Sequence, residues 1–213
     1  MNLTSNRMSA LAGLGYVVLA LIGNFIAGAP PKATDTAATT AAWFADHHKA
    51  ILVGAVLTGL AAPLFVWCFA TLCRQLRKAG EASLSVITFG LVVAGIAIAT
   101  VSDAGYASLA HAGRQGDGGF VKSGYDLVSL LETKALWFAA FAAVAVWLGS
   151  KSLAAWYRWI ALLAAVLCAL GGLAVKHQGF FGTFGGMTLI GYLALLVWVL
   201  ATSAVLWATP DGA

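Results

Sequence analysis

Six apolar stretches of about twenty residues, separated by short polar breaks, constrain this chain more than any other feature. Charged residues make up only 9% of the sequence and hydrophobic residues 61%. An ordinary soluble domain carries about 25% charged residues. Because about twenty apolar residues in a helix span the hydrocarbon core of a bilayer, the sequence predicts an all-α, polytopic transmembrane bundle with six spans.

The predicted spans cover residues 8–29, 50–73, 84–102, 127–149, 159–175 and 185–207. No polar segment between them is long enough to fold as a separate soluble domain, so residues 1–213 are predicted to form a single transmembrane domain. Ala27 and Ala29, ahead of Pro30, also fit a signal-peptidase site. The first apolar run is long for a signal peptide, however, and favours a retained span.

The distribution of Lys and Arg in the short loops predicts the orientation. Six of these residues fall on one side of the membrane and five on the other, and the densest run, Arg74, Arg77 and Lys78, follows the second span. We predict that this run and both termini lie in the cytoplasm. The net charge of +4 is scattered over the loops, as in most membrane proteins, and nucleic acid is not an expected partner.

Two loops on the predicted outer side are longer than the others. In the first, residues 30–49, Thr34 and Asp35 precede an Ala-rich run, which is a typical signal for the start of a helix. We predict a short outer-surface helix over residues 36–46, ahead of the second span. The second loop, residues 114–126, contains four glycines and is expected to be mobile.

Ionisable side chains within a bilayer are costly, so their positions are the best guide to a functional site. The predicted cytoplasmic half of the spans contains almost none of them. On the outer half, Asp103 and Tyr106 follow the third span, whereas Glu132 and Lys134 lie inside the fourth. The long side chain of Lys134 is expected to extend outward to water, while Glu132 should face the interior of the bundle.

Glu132 is the candidate general acid or base at this end of the bundle. The wider set of candidates for a ligand pocket or a proton path is Asp103, Tyr106, Glu132 and Lys134. Because a carboxylate inside a bilayer needs a partner, Glu132 is expected to pair with Lys176, His47 or His48, or else to be protonated.

A divalent metal is a further possibility at the same end, since His and carboxylate side chains suit zinc, copper or iron. The candidate ligands are Asp46, His47, His48 and His111. Their spacing matches neither an HxxxH nor an ExxH pattern, and solvated residues at the membrane surface are the simpler interpretation. The three cysteines show no ligand spacing and are interpreted as small buried hydrophobic residues.

Residues 41–55, AAWFADHHKAILVGA, are followed by a span containing Pro63 and by the basic loop CRQLRKAG. In these features, and in its closing span from Tyr192 to Trp207, the chain resembles a group of six-spanning integral membrane proteins of high-GC Gram-positive bacteria. No function is known for that group. The resemblance implies a multi-pass protein of the bacterial plasma membrane.

Three interpretations of function remain open. The near absence of polar groups in the cytoplasmic half favours a non-catalytic accessory or scaffold subunit, whose partners in the lipid bilayer would be other membrane subunits or further copies of itself. A small transporter or ligand-binding protein would instead have an outward-facing polar pocket where Glu132, Asp103 and the histidines converge. A membrane enzyme would use Glu132, and a metal if one is bound, on a lipid or a small hydrophobic substrate at the outer leaflet.

Overall fold

A computed structural model describes residues 5–32, 34–173, 179–180, 182 and 185–209. Over these residues the chain forms seven α-helices and one short 3-10 turn, and it contains no β-strand. Six of the helices are long enough and apolar enough to cross a membrane. The predicted all-α bundle with six spans is therefore confirmed.

The helices are α1 (Ser5–Phe25), α2 (Ala37–Asp46), α3 (His48–Lys78), α4 (Ala82–Arg114), α5 (Gly118–Gly149), α6 (Ala155–Gly172) and α7 (Gly186–Ala208). All except α2 are candidate spans. Each span packs against the next one, and α7 packs back against α1, so the six spans form a closed ring. We call the end at which α1 begins and α7 ends the terminal end, and the opposite end the α2 end.

The two helices α4 and α5 are longer than predicted, with 33 and 32 residues. The prediction of a mobile loop over residues 114–126 was wrong, because α4 continues to Arg114 and α5 begins at Gly118. Gly116 takes a φ of +82° in the tight turn between them, which glycine adopts without strain. Asp117 then caps α5 by accepting a hydrogen bond from the backbone N–H of Phe120.

The short helix predicted over residues 36–46 is present as α2. Its N-cap is Thr36 rather than Thr34 or Asp35, since the Thr36 hydroxyl accepts a hydrogen bond from the backbone N–H of Thr39 at 3.2 Å. The side chain of Asp35 instead accepts a hydrogen bond from the backbone N–H of Lys32. The helix therefore begins at Ala37, one residue later than it would if Asp35 were its N-cap.

A small core holds α2 against the extended ends of α4 and α5. Phe44 of α2 is fully buried, and its ring contacts Tyr106 of α4 and Tyr125 of α5, with centroids 6.3 Å and 5.6 Å away. The Tyr125 hydroxyl donates a hydrogen bond to the carbonyl of Pro31 at 2.6 Å. These contacts explain why the Gly-rich ends of α4 and α5 are helical: tertiary packing stabilises turns whose sequence favours a loop.

The main core of the ring contains large, fully buried side chains, among them Phe69, Leu72, Leu76, Val146, Tyr157 and Trp198. Close backbone approach supplements this packing where α1 crosses α3. A Cβ atom placed on Gly54 would lie 2.5 Å from the carbonyl oxygen of Gly23. Small residues at such crossings allow the dispersion contacts that hold helices together in lipid.

A set of polar side chains joins α1, α3 and the end of α7 at the terminal end. Asn6 is fully buried, and its Nδ2 donates to the carbonyl of Thr209 at 3.0 Å. Its Oδ1 accepts from Arg74 at 3.1 Å and from Gln75 at 3.2 Å. We call these four residues the terminal clasp. The terminal clasp therefore joins the first turn of α1 to the end of α7 at one end of the bundle.

Candidate functional site

A cavity lies inside the ring, toward the α2 end. It offers about 100 Å³ of space into which water molecules fit, which is room for several of them. Five of the six spans line this cavity, and among the described residues α6 contributes none to its wall. Its polar and aromatic lining consists of Tyr16, Asn24, Thr58, Phe65, Thr100, Asp103, Glu132, Tyr192 and Trp198.

Two carboxyl groups from neighbouring helices reach the cavity, Asp103 from α4 and Glu132 from α5. The Tyr106 hydroxyl donates a hydrogen bond to Oε2 of Glu132 at 3.2 Å. The hydroxyl of Thr58, on α3, contacts the carboxyl of Asp103. The two carboxyl groups are also close enough to interact electrostatically. Three helices thus hold two acidic groups at one point of the interior.

Neither carboxyl group has a basic partner in the part of the chain that the structure describes. The only ion pair in that part joins Lys122 to Asp126, one turn apart near the start of α5. Both carboxyl groups are half-buried, and a carboxylate drawn out of water without a paired cation is destabilising, because hydroxyl groups replace only part of its hydration. An arrangement of this kind within a membrane is by default a candidate functional site.

Two tyrosine hydroxyls add further hydrogen-bonding capacity to the cavity. Tyr16 is only 6% exposed and lines the cavity. The Tyr192 hydroxyl accepts a hydrogen bond from Nδ2 of Asn24 at 2.8 Å, which leaves its own proton available. The ring of Tyr16 lies against that of Phe65, with centroids 4.7 Å apart. The wall therefore combines oxygen atoms with aromatic faces.

Glu132 and Asn24 also border two neighbouring cavities. One, of about 100 Å³, lies next to Trp43 and Ile51 near α2. The other, of about 420 Å³, lies between the end of α1 and the start of α7, and we call it the α1–α7 crevice. Its lining is Asn24, Phe25, Gly28, Ala29, Pro30, Glu132, Leu136, Thr188, Leu189 and Tyr192. Glu132 therefore borders all three cavities.

Of the four pocket candidates from the sequence, the structure brings together Asp103, Tyr106 and Glu132, but not Lys134. Nζ of Lys134 donates to the carbonyl of Gly172, where α6 ends at the α2 end, at 2.9 Å, and the expectation that this side chain reaches water stays a prediction. Nε1 of Trp137 donates to the same carbonyl, also at 2.9 Å. A cation at the last carbonyls of a helix is favourable, so Lys134 serves as a cap for α6.

The four metal candidates lie apart from the carboxyl pair. Asp46 is exposed at the end of α2, and Nδ1 of His47 is hydrogen-bonded to the carbonyl of Trp43 at 2.8 Å. His48 and His111 face each other with ring centroids 6.1 Å apart. Within the described ranges, no group of three or more His, Cys, Asp or Glu side chains is placed to hold a metal ion.

Of the partners expected for Glu132, the two that the structure describes do not line the site. His47 and His48 are absent from the walls of all three cavities. Lys176 lies outside the residues that the structure describes. The hydrogen-bonding groups that do reach the cavity with Glu132, such as Tyr16, Thr58 and Tyr192, were not predicted. Each lies among apolar residues in its span, and the sequence does not show which of them face the ring interior.

Comparison with known proteins adds no relative. No protein-family model matches the chain, and neither a curated protein nor a solved structure matches it. Function is therefore inferred from the geometry of the cavity.

Proposed function

We propose that this multi-pass membrane protein binds a small ligand in the cavity inside its helix ring, as a ligand-binding protein or small transporter. The observation that carries the proposal is the convergence of Asp103 and Glu132 on a cavity lined by five spans, without a basic partner in the described chain. Membrane transporters place substrate sites between helices, at polar groups that face the bundle interior.

The cavity favours this function over the two alternatives. An accessory or scaffold subunit needs a contact surface for its partners, and an interior space lined with two carboxyl groups contributes nothing to such a surface. A hydrolytic enzyme at the same site would need a nucleophile or a set of metal ligands beside Glu132. The polar and aromatic side chains that line the cavity with Glu132 and Asp103 are hydroxyls, one amide and aromatic rings, which suit binding better than bond cleavage.

In the proposed orientation the terminal end faces the cytoplasm of a bacterial cell, and the α2 end faces outward. The basic residues at the terminal end are Arg7, Arg74, Arg77, Lys78, Lys151 and Arg158, and the only acidic residue there within the described chain is Glu81. Lys and Arg in short loops are enriched on the cytoplasmic side of membranes. The cavity would then take its ligand from the outer leaflet or the outside solution.

Cysteine labelling tests whether water-borne cations reach the cavity. Ala99 lines it one turn before Asp103, and the three native cysteines are buried. An Ala99→Cys variant, purified in detergent, should react with a cationic methanethiosulfonate about tenfold or more faster than with its sulfonate analogue, because the carboxyl groups concentrate cations locally. Adding Glu132→Gln should reduce that ratio.

The matched control is Ala38→Cys, on the exposed face of α2 outside the cavity walls. Its preference for the cationic reagent should be small and should not respond to Glu132→Gln. Labelling of Ala99→Cys no faster than of the unsubstituted chain would contradict an accessible cavity. Equal rates with both reagents would contradict the role given to the carboxyl groups.

A further inference from the structure

We infer that the ligand is an organic ammonium ion with an apolar body, whose charged group lies between Glu132 and Asp103 and whose body occupies the α1–α7 crevice. This inference rests on the proposed function and names the ligand class of the same site. It follows from four features of the cavity walls: their charge, their hydrogen-bonding groups, their aromatic rings and the size of the adjoining crevice.

The charge of the walls calls for a cation. Asp103 and Glu132 are the only ionisable carboxyl groups that line the three cavities, and no described Lys, Arg or His lines any of them. Two acidic groups that lack a protein cation are best stabilised by a cation that the ligand supplies. A carboxylate or phosphate ligand would meet two like charges at the same place.

The hydrogen-bonding groups point to a ligand that donates hydrogen bonds. Both carboxyl groups can accept, and the hydroxyl of Tyr16 belongs to the same cavity wall. A hydroxyl can accept hydrogen bonds as well as donate one, so Tyr16 can serve a ligand that carries only donors. An ammonium group carries donors and no acceptor, which fits the two carboxyl groups better than an alcohol or an amide does.

Aromatic rings line the same wall and distinguish an organic cation from a hydrated metal ion. The ring centroids of Tyr16 and Phe65 lie 4.7 Å apart. Phe69 packs next to Phe65, and its ring centroid lies 4.8 Å from that of Trp198. Tyr16, Phe65 and Trp198 all face the cavity. Aromatic faces attract ammonium groups through the ring quadrupole and pack well against their alkyl substituents.

The α1–α7 crevice supplies the space for an apolar body. Its volume of about 420 Å³ exceeds the roughly 150 Å³ of an apolar cavity that is known to hold benzene. Apart from Asn24, Thr188, the Tyr192 hydroxyl and Glu132, its lining is apolar. Because Glu132 borders both the crevice and the inner cavity, an ammonium group held there can extend a phenyl-sized substituent into the crevice.

Calorimetric titration of the full-length protein in detergent tests this ligand class. The probe is 2-phenylethylamine, and its matched uncharged partner is 2-phenylethanol, which replaces the ammonium with a hydroxyl. Saturable binding of the amine should be stronger than that of the alcohol by roughly 10- to 100-fold, the range for hydrogen bonds to a charged group. Sodium chloride and tetramethylammonium chloride, titrated separately, test whether a cation without the apolar body suffices.

Three variants locate the bound amine. Glu132→Gln keeps the size of the side chain and an acceptor for Tyr106, and should weaken amine binding about tenfold or more while leaving alcohol binding unchanged. Tyr16→Phe, which removes a single buried hydroxyl, should weaken it severalfold. Asp46→Asn removes an exposed carboxyl outside the three cavities and is the control for net charge; it should bind the amine like the unsubstituted chain.

The outcomes separate this inference from the proposed function. Equal binding of amine and alcohol, or no effect of Glu132→Gln on the amine, would overturn the ammonium assignment, and so would saturation by sodium at the same site. If Ala99→Cys is still labelled with the cationic preference described above, the cavity remains a binding site and only the ligand class is wrong. If that labelling also fails, the proposed function falls with it.

Discussion

The two ends of this bundle bury polar side chains in opposite ways. At the terminal end, the amide of Asn6 makes three hydrogen bonds to groups on α3 and at the end of α7, and the hydroxyls of Ser9 and Thr71 are 2.7 Å apart. At the α2 end, Asp103 and Glu132 face a cavity and are held by hydroxyl groups alone among the described residues.

The difference separates two uses of polarity inside a membrane. A fully hydrogen-bonded amide carries no net charge and ties helices together at a modest energetic cost. An unpaired carboxyl group is costly and stabilises nothing by itself, so its presence indicates a role that the folded chain alone does not require. The terminal end is therefore interpreted as the structural part of the ring, and the α2 end as the binding part.

The largest expected effect is on stability. It tests whether the helices at the α2 end are loosely packed everywhere or only around the cavity. Gly54→Ala should destabilise the protein by about 1–3 kcal/mol, because the new Cβ would lie 2.5 Å from the Gly23 carbonyl and backbone must shift. Unfolding by SDS in mixed micelles, followed by tryptophan fluorescence, measures this. Gly59→Ala on the same helix meets nothing within 4 Å and should change stability by less than about 0.5 kcal/mol. Equal effects would mean that the crossing of α1 and α3 is as open as the cavity.

The next effect compares two asparagines on α1. Asn6→Ala should cost about 1–2 kcal/mol in the same assay, since it leaves Gln75 and the Thr209 carbonyl without their partner. Asn24→Ala should cost less than about 0.5 kcal/mol, because Asn24 is exposed and, among the described residues, bonds only to Ala20 and Tyr192. A larger loss at Asn24 would remove the contrast between the two ends.

The smallest effect has the opposite sign. Glu132→Gln replaces a half-buried carboxyl group near Asp103 by an uncharged amide, and should make the protein more stable by about 0.5–1 kcal/mol at neutral pH while it weakens ligand binding. Glu81→Gln, at the terminal end, should leave stability within about 0.5 kcal/mol. A clear loss of stability in Glu132→Gln would instead show that this carboxyl group is a structural element of the ring.

The sequence predicts the six spans because the apolar runs are long and the polar breaks are short. It does not predict the length of α4 and α5 beyond Ser102 and before residue 127. The residues there are polar and rich in glycine, and their helical state depends on the buried ring of Phe44 on α2. That contact joins segments distant in the sequence, so local propensity alone favours a loop.

The site is predictable in part for a similar reason. Glu132 and Asp103 stand out because charged residues are rare in spans, and the prediction that Glu132 faces the interior agrees with its place in the cavity wall. Tyr16 and Tyr192 could not be selected, because the rotation of one helix against another is set by side-chain packing across the ring. Lys134 shows the same limit, since its partner is a carbonyl on a different helix.

The length of α4 and α5 sets the depth of the carboxyl groups. Helices of 33 and 32 residues extend about 50 Å, whereas the hydrocarbon core of a bilayer is about 30 Å thick. Measured along the helices from the terminal end, Asp103 lies about 32 Å and Glu132 about 26 Å away. With the terminal end at one hydrocarbon boundary, Asp103 reaches the headgroup level of the opposite leaflet, and Glu132 lies about 4 Å inside that boundary. An amphiphile dissolved in that leaflet already holds its ammonium at this height, so the lipid phase would be the reservoir that fills the site.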